Sequence, residues 1–215
     1  AYGGFDHNIQ TLRIVCLLEK KYYEFNGLNL SFETLDGLVK HNGPIYNLNN
    51  LNKILGKNFF KNQIFFEKQP SLEAQISAIS DDIAYNSHDL EDGLKAGLFD
   101  MEDLLFIPIL SEIVKKNKKK ITKSNKELVL RQIIREIINE MVKDIISNTK
   151  KNLKLNKVRS INQVYNSKRQ LVCFSKEMNL FDKSIKNFLK ENMYYSKNVL
   201  KKTNNGKKII KILFT

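Results

Sequence analysis

The chain has 215 residues, a hydrophobic content of 42% and a formal net charge of +13. That is enough apolar material for one substantial domain, or one domain with a smaller appendage, and it excludes disorder throughout. No apolar run approaches the roughly 18 residues of a membrane span, and the N-terminus has no signal-peptide layout, so the expectation is a cytoplasmic protein with no membrane partner.

The first residues, Ala1-Tyr2-Gly3-Gly4-Phe5-Asp6, include no initiator methionine and read as the start of a piece. Asn8 to about Tyr23 carries Ile9, Leu12, Ile14, Val15, Leu17 and Leu18, which predicts a largely buried helix. A second is expected from Ser31, a suitable N-cap, to about Lys40. His41-Asn42-Gly43-Pro44 stops it, because Gly43 can turn left-handed and Pro44 cannot continue a helix. Residues 45–70, rich in Asn, Lys and Phe, read as a loop with short irregular elements.

Pro70-Ser71 opens a helix over 71–96. With Asp81 at zero and about 100° per residue, Leu72, Ile76, Ile79, Ile83, Leu90 and Leu94 form one stripe. Asp81, Tyr85, His88 and Asp92 cluster opposite, with Asp82 and Asp89 at the edge and the small Ala74 and Ala78 on the same side. Two readings of that polar face stand: a solvated surface, or one shaped to meet a ligand. A shorter helix follows Pro108, and a long one spans about Asn125 to Lys151. Residues 152–174 are expected to hold short strands or an irregular connection. Two final helices run from about Lys183 to Met193 and from about Ser196 onward.

Charge is concentrated in lysine. Lys115 to Lys123 contains six lysines and reads as a solvated loop, and a second cluster includes Lys201, Lys202, Lys207, Lys208 and Lys211. Such basicity is compatible with an anionic partner, although a nucleic-acid surface is not the favoured reading. Cys16 and Cys173 lie far apart in apolar runs, which is core usage in a reducing compartment, without the spacing of a zinc site. There is no Gly-x-Gly-x-x-Gly and no Walker loop.

Gly3-Gly4-Phe5-Asp6-His7-Asn8-x-Gln10-Thr11-Leu12-Arg13, Glu33-Thr34-Leu35-x-Gly37-Leu38-Val39-Lys40-His41-Asn42-Gly43-Pro44, Ser71-Leu72-Glu73-Ala74-Gln75 and Asp81-Asp82-Ile83-Ala84-Tyr85-Asn86-x-His88-Asp89 together resemble the bacterial deoxyguanosine-triphosphate triphosphohydrolase-like proteins. Phe174-Ser175-Lys176-Glu177-Met178 and Phe188-Leu189-x-x-x-Met193-Tyr194 extend the resemblance to the whole chain. These proteins belong to the HD phosphohydrolase superfamily, so the resemblance implies an all-α, multi-helix HD-domain-like bundle, incomplete at its N-terminus. It divides the chain into the downstream part of the catalytic domain, 1–110, and a C-terminal helical region, 111–215.

The resemblance further implies metal-dependent hydrolysis of deoxynucleoside triphosphates to deoxynucleoside and triphosphate, with Mg²⁺ or Mn²⁺ as cofactor and a homo-oligomeric assembly. Asp81 matches the distant metal-ligand aspartate; the family's His and His-Asp ligands lie upstream of the Gly-Gly-Phe-Asp-His-Asn segment. The literal His88-Asp89 pair follows the distant aspartate and is therefore a decoy for the metal pair. Tyr85 matches a deoxyribose or phosphate contact and Asp89 an acceptor for the sugar 3′-hydroxyl. Lys40 and His41 match positions that would meet the triphosphate, and His7 and Asn8 polar positions near the catalytic centre. Arg131 and Arg135, on the helix from about Asn125 to Lys151, are further phosphate candidates, with helix-face solvation the favoured role of each. With the metal site incomplete, this chain alone is expected to be inactive. A nucleic-acid-binding module and a degenerate, non-catalytic relative with an assembly or regulatory role remain the alternatives.

Overall fold

The computed structural model describes residues 6–56, 59–60, 63–119, 122 and 125–214. Gly3, Gly4 and Phe5 of the N-terminal motif, and Lys120, Ile121 and Lys123 of the lysine run, lie outside them. The described residues form α-helices without a strand, so the all-α expectation is met.

In chain order these are α1 (His7–Arg13), α2 (Phe32–Val39), α3 (Asn49–Leu55), α4 (Leu72–Lys95), α5 (Pro108–Lys118), α6 (Lys126–Leu155), α7 (Ile161–Tyr165), α8 (Lys176–Leu189) and α9 (Lys197–Leu213). The two longest are α4, with 24 residues, and α6, with 30, where the hydrophobic periodicity predicts them. Local chemistry sets many of the ends. Asp6, Ser31, Ser175 and Ser196 cap α1, α2, α8 and α9 by accepting from backbone N–H groups three residues on. Pro108 opens α5 at its first turn, where a missing N–H costs nothing. Gly43 takes φ +99° behind α2 and donates its N–H to the Lys40 carbonyl.

Three expectations are corrected. The first helix does not reach Tyr23: α1 passes into a π-helical turn, Ile14–Leu18, and ends there. The returning chain takes the carbonyls a longer helix would need, Leu28 N–H donating to Val15 and Gly27 N–H to Glu19. Gly27 permits this, since its φ is +77° and a Cβ there would lie 2.5 Å from the Cys16 carbonyl oxygen. Residues 152–174 hold the end of α6, the short α7 and an irregular return, with no strand among them. The helix expected from Lys183 starts about two turns earlier, at Lys176, directly after the irregular return, because Ser175 supplies the cap.

The chain divides into two compact units: Ala1–Ser80 with Asn148–Cys173, and Asp81–Ser147 with Phe174–Thr215. In the first, Ile9, Leu12, Leu35, Val39, Leu51, Leu55, Phe60 and Ile64 form one core, and Cys16 packs against it as its apolar surroundings predict. Burial raises the pKa of that thiol. A single buried amide joins distant parts of this unit. Gln75, 2% exposed, donates from Nε2 to the Pro70 carbonyl at 2.9 Å. Its Oε1 accepts from the N–H groups of Leu171 at 2.9 Å and Val172 at 3.1 Å. Asn148 and Asn152 donate to the carbonyls of Cys173 and Leu171, fastening the same return segment to the end of α6.

In the second unit the buried apolar side chains include Ile83 and Leu90 of α4, Leu110 and Val114 of α5, Ile133, Ile137 and Met141 of α6, and Phe181, Ile185 and Leu189 of α8. Gly93 makes room for Phe99, whose ring would meet an added Cβ at 2.3 Å. The Phe99 ring in turn stands edge-on to Phe188.

Gln75→Leu keeps the volume but leaves a carbonyl and two N–H groups without their partner, so it should lower the unfolding free energy by about 3 kcal/mol or more. Denaturant titration checks this; a loss no larger than that of an exposed substitution such as Glu73→Gln would contradict it.

Candidate functional site

The face of α4 opposite its buried stripe carries four of the residues singled out in the sequence, Asp81, Tyr85, His88 and Asp92. Ile83 and Leu90 are buried as the stripe requires, together with Asn86 and Ser87 on the same side, whereas Ile76 is exposed. Asp81, Tyr85, His88 and Asp92 all face solvent, so periodicity located the open face correctly. Asp81, Tyr85 and Asp89 follow at intervals of four residues, which on a helix stacks them turn by turn along one line.

That line is held in place by polar contacts in the second unit. Asn86 donates to Asp182 Oδ1 at 2.9 Å, and Asp182 is 5% exposed. Lys186 lies 2.9 Å from Asp182 and 3.2 Å from Asp82. Burial alone would lower the pKa of Lys186, but the two carboxylates outweigh it and raise the value. A buried carboxylate with both an amide donor and an ammonium is satisfied only when α8 lies against α4 in this register.

Past α8 the chain makes a π-helical turn, Lys190–Tyr194, and this delivers Tyr194 to the line. Its hydroxyl donates a short hydrogen bond to Asp89 Oδ2. Burial, first, and then its neighbours Asp89 and Tyr85 push the Tyr194 pKa far above the ordinary tyrosine value. Sequence reasoning did not assign Tyr194 a role. Its place in the Phe188-Leu189-x-x-x-Met193-Tyr194 pattern was visible, but its meeting with Asp89, 105 positions away, was not. Asp89 is thus tied to Tyr194, while its neighbour His88 is exposed.

The other predicted residues lie in the first unit. His7 is the exposed first residue of α1 and Asn8, beside it, is half-buried. Lys40 is 2% exposed and its ammonium sits 2.6 Å from Asp36, so a phosphate contact from Lys40 requires that pair to open. Burial raises the Asp36 pKa despite Lys40. His41 lines a cavity of about 550 Å³ with Glu33, Glu73, Gly37, Ala74 and Tyr165. Burial and then Asp36, Glu33 and Glu73 raise the Tyr165 pKa, which marks the field there as negative. Arg131 pairs with Glu127 at 2.6 Å and Arg135 donates to Gln132, both on the exposed side of α6.

Among the described residues, no three or more His, Cys, Asp or Glu side chains come close enough together to hold a metal ion. A hard cation needs several oxygen ligands, and the described residues do not supply such a set around Asp81.

An all-α chain with a carboxylate and tyrosine line along one long helix is the class that the fold and this face define. Its relatives narrow the class. It is 54% identical over 213 residues to a deoxyguanosinetriphosphate triphosphohydrolase-like protein of Pelagibacter ubique, covering 99% of this chain and 57% of that protein. It is 39% identical to the protein of the same name from Bartonella tribocorum, over 99% of this chain and 54% of the relative. For that of Parvibaculum lavamentivorans the identity is 38%, over 100% of this chain and 55% of the relative. No protein-family model matches. The chain belongs to the deoxyguanosinetriphosphate triphosphohydrolase-like proteins and spans about half the length of the curated relatives it matches.

The Tyr194 shift makes a pH prediction. A tyrosine whose folded pKa lies above its unfolded value of 10.0 contributes stability that is complete below pH 10 and is lost as pH rises toward the folded value. Asp89→Asn should therefore lower the Tyr194 pKa toward the ordinary range in a tyrosinate absorbance titration. An unchanged titration curve would show that Asp89 does not hold the hydroxyl.

Proposed function

We propose that the full-length protein hydrolyses deoxynucleoside triphosphates of the dGTP type to deoxynucleoside and triphosphate, and that this chain supplies the surface that binds the sugar. What carries the reading is the Asp81–Tyr85–Asp89 line with Tyr194 hydrogen-bonded to Asp89, joined to the name borne by relatives 38–54% identical.

In this reading Asp89 accepts a hydrogen bond from the sugar 3′-hydroxyl, with its carboxylate orientation fixed by Tyr194. The half-exposed Tyr85 ring packs against the deoxyribose. Water attacks the α-phosphorus, the bond from phosphorus to the 5′ oxygen breaks, and a proton passes to that oxygen to release the deoxynucleoside. In this reading Lys40 and His41 keep the triphosphate-binding roles, and His7 and Asn8 the catalytic roles, that the resemblance implies. Asp81 is the residue of this chain that would touch a divalent cation, Mg²⁺ or Mn²⁺. In this reading Asp89, Tyr85 and Tyr194 bind and orient the sugar.

In the full-length protein, Asp81→Asn should reduce triphosphate release from dGTP by at least about a hundredfold with the helical content unchanged. Asp89→Ala should raise KM by about tenfold or more, since a hydrogen bond to a charged group is lost. Wild-type rates in Asp81→Asn would remove that residue from the site. The 215-residue chain alone should show no sustained turnover and weak Mn²⁺ binding by calorimetry; tight binding with turnover would mean that the site is built from other residues.

A further inference from the structure

The first unit holds a cation out of water beside one carboxylate. Lys40 ends α2 as its C-cap, and its side chain is 2% exposed. The ammonium lies 2.6 Å from Asp36 Oδ1, one turn earlier on the same helix, and the Asp36 side chain is 13% exposed. Leu35 and Val39, which precede each of the two in sequence, are buried in one core with Ile9 and Leu12 of α1. Gly37 brings α2 close to α4, since a Cβ there would lie 3.1 Å from that of Ala74. Little water reaches either charge. Directly after the pair, His41 lines the cavity between α2, α4 and α7.

A buried lysine of this kind meets an outside anion only by leaving its carboxylate, and a carboxylate left ionised and alone in such surroundings is costly. The groups around Asp36 provide the alternative. Burial, the largest influence, favours its neutral form; Lys40 opposes this, and the charge of Glu33 on the same helix adds to burial. From α7, the Tyr165 hydroxyl faces the same field, acted on by Asp36, Glu33 and Glu73 of α4. From α1 come the apolar Ile9 and Leu12, while its charged residues His7 and Arg13 are exposed. Lys40 is therefore the group that keeps Asp36 ionised. Its four-carbon stem lets the ammonium swing without a change in the helix. Once it has moved away, the burial and the carboxylates that remain favour the protonated acid.

We infer that Asp36 is a latch on Lys40: when a triphosphate binds, the Lys40 ammonium leaves Asp36 for a phosphate oxygen, and a proton from solvent takes its place on the Asp36 carboxylate. The ammonium keeps its own protons throughout, so one proton enters per exchange and the new carboxyl O–H is the only covalent bond made. The inference rests on the triphosphate-binding role proposed for Lys40. Asp36 is then a positioning residue, acting on the ligand through Lys40. Triphosphate affinity falls as pH rises, because the bound state carries a proton that the free state lacks.

Calorimetric titration of the full-length protein with inorganic triphosphate, repeated in buffers of different ionisation enthalpy, counts the protons taken up. Asp36→Asn keeps the shape and an oxygen acceptor for Lys40 but removes the charge. It should bind triphosphate about tenfold tighter, because a neutral acceptor holds the ammonium less strongly. It should also take up about one proton fewer per triphosphate than the wild type, since protonation of the ligand itself is common to both. Asp36→Glu returns a carboxylate and should bring affinity and proton count back toward wild type. Infrared difference spectra give a measure that needs no variant: a protonated carboxyl band should appear when triphosphate binds the wild-type protein. Lys40→Gln should weaken binding by about tenfold or more, as a charged hydrogen bond is lost. Circular dichroism verifies that each variant is folded. Unchanged affinity in Lys40→Gln would remove the role of Lys40 and the latch with it. Weaker binding in Lys40→Gln, combined with equal proton counts in wild type and Asp36→Asn or with no carboxyl band, would overturn the latch alone.

Discussion

Asp182 is a carboxylate buried among apolar residues, and such a group persists only where its charge is met. Asn86 and Lys186 meet it, and because Asn86 belongs to α4 while Asp182 and Lys186 belong to α8, the requirement fixes one helix against the other. The register sets where α8 ends, and its end sets where the π-helical turn puts Tyr194. The Tyr194–Asp89 bond is thus a consequence of a charge buried more than one turn away. The placement of Tyr194 in this part of the molecule goes with a buried polar contact elsewhere on the two helices.

The first unit applies the same rule with different groups. Gln75 is buried where its amide has three backbone partners, two of them almost a hundred residues further along the chain. Lys40 is buried because Asp36 sits one turn before it on α2. Both side chains would be costly if left alone, and both therefore specify the fold around them. The price for Lys40 is availability, since its ammonium is engaged inside the unit it belongs to.

Surface charge follows a separate logic. The net charge of +13 is not spread evenly: α9 holds lysines without a carboxylate, while the groove beside α5 and α6 gathers carboxylates.

Periodicity made much of this legible. The 3.6-residue spacing of apolar residues marked α4 and α6, Ser31 and Gly43 marked the ends of α2, and the wheel of α4 placed Asp81, Tyr85 and Asp89 on the open side. These follow from interactions within a few residues, which a sequence displays directly. The early end of the first helix did not, because Leu28 and Gly27 take its carbonyls from beyond the turn. Ile76 kept the spacing of the buried stripe and still faces solvent, since a wheel gives direction but not the presence of a neighbour. Likewise the sequence supplied Asp89 and Tyr194 as separate residues of two motifs. Their meeting, the burial of Lys40 and the interleaving of both units along the chain were decided by tertiary structure, because each depends on which groups are brought out of water together.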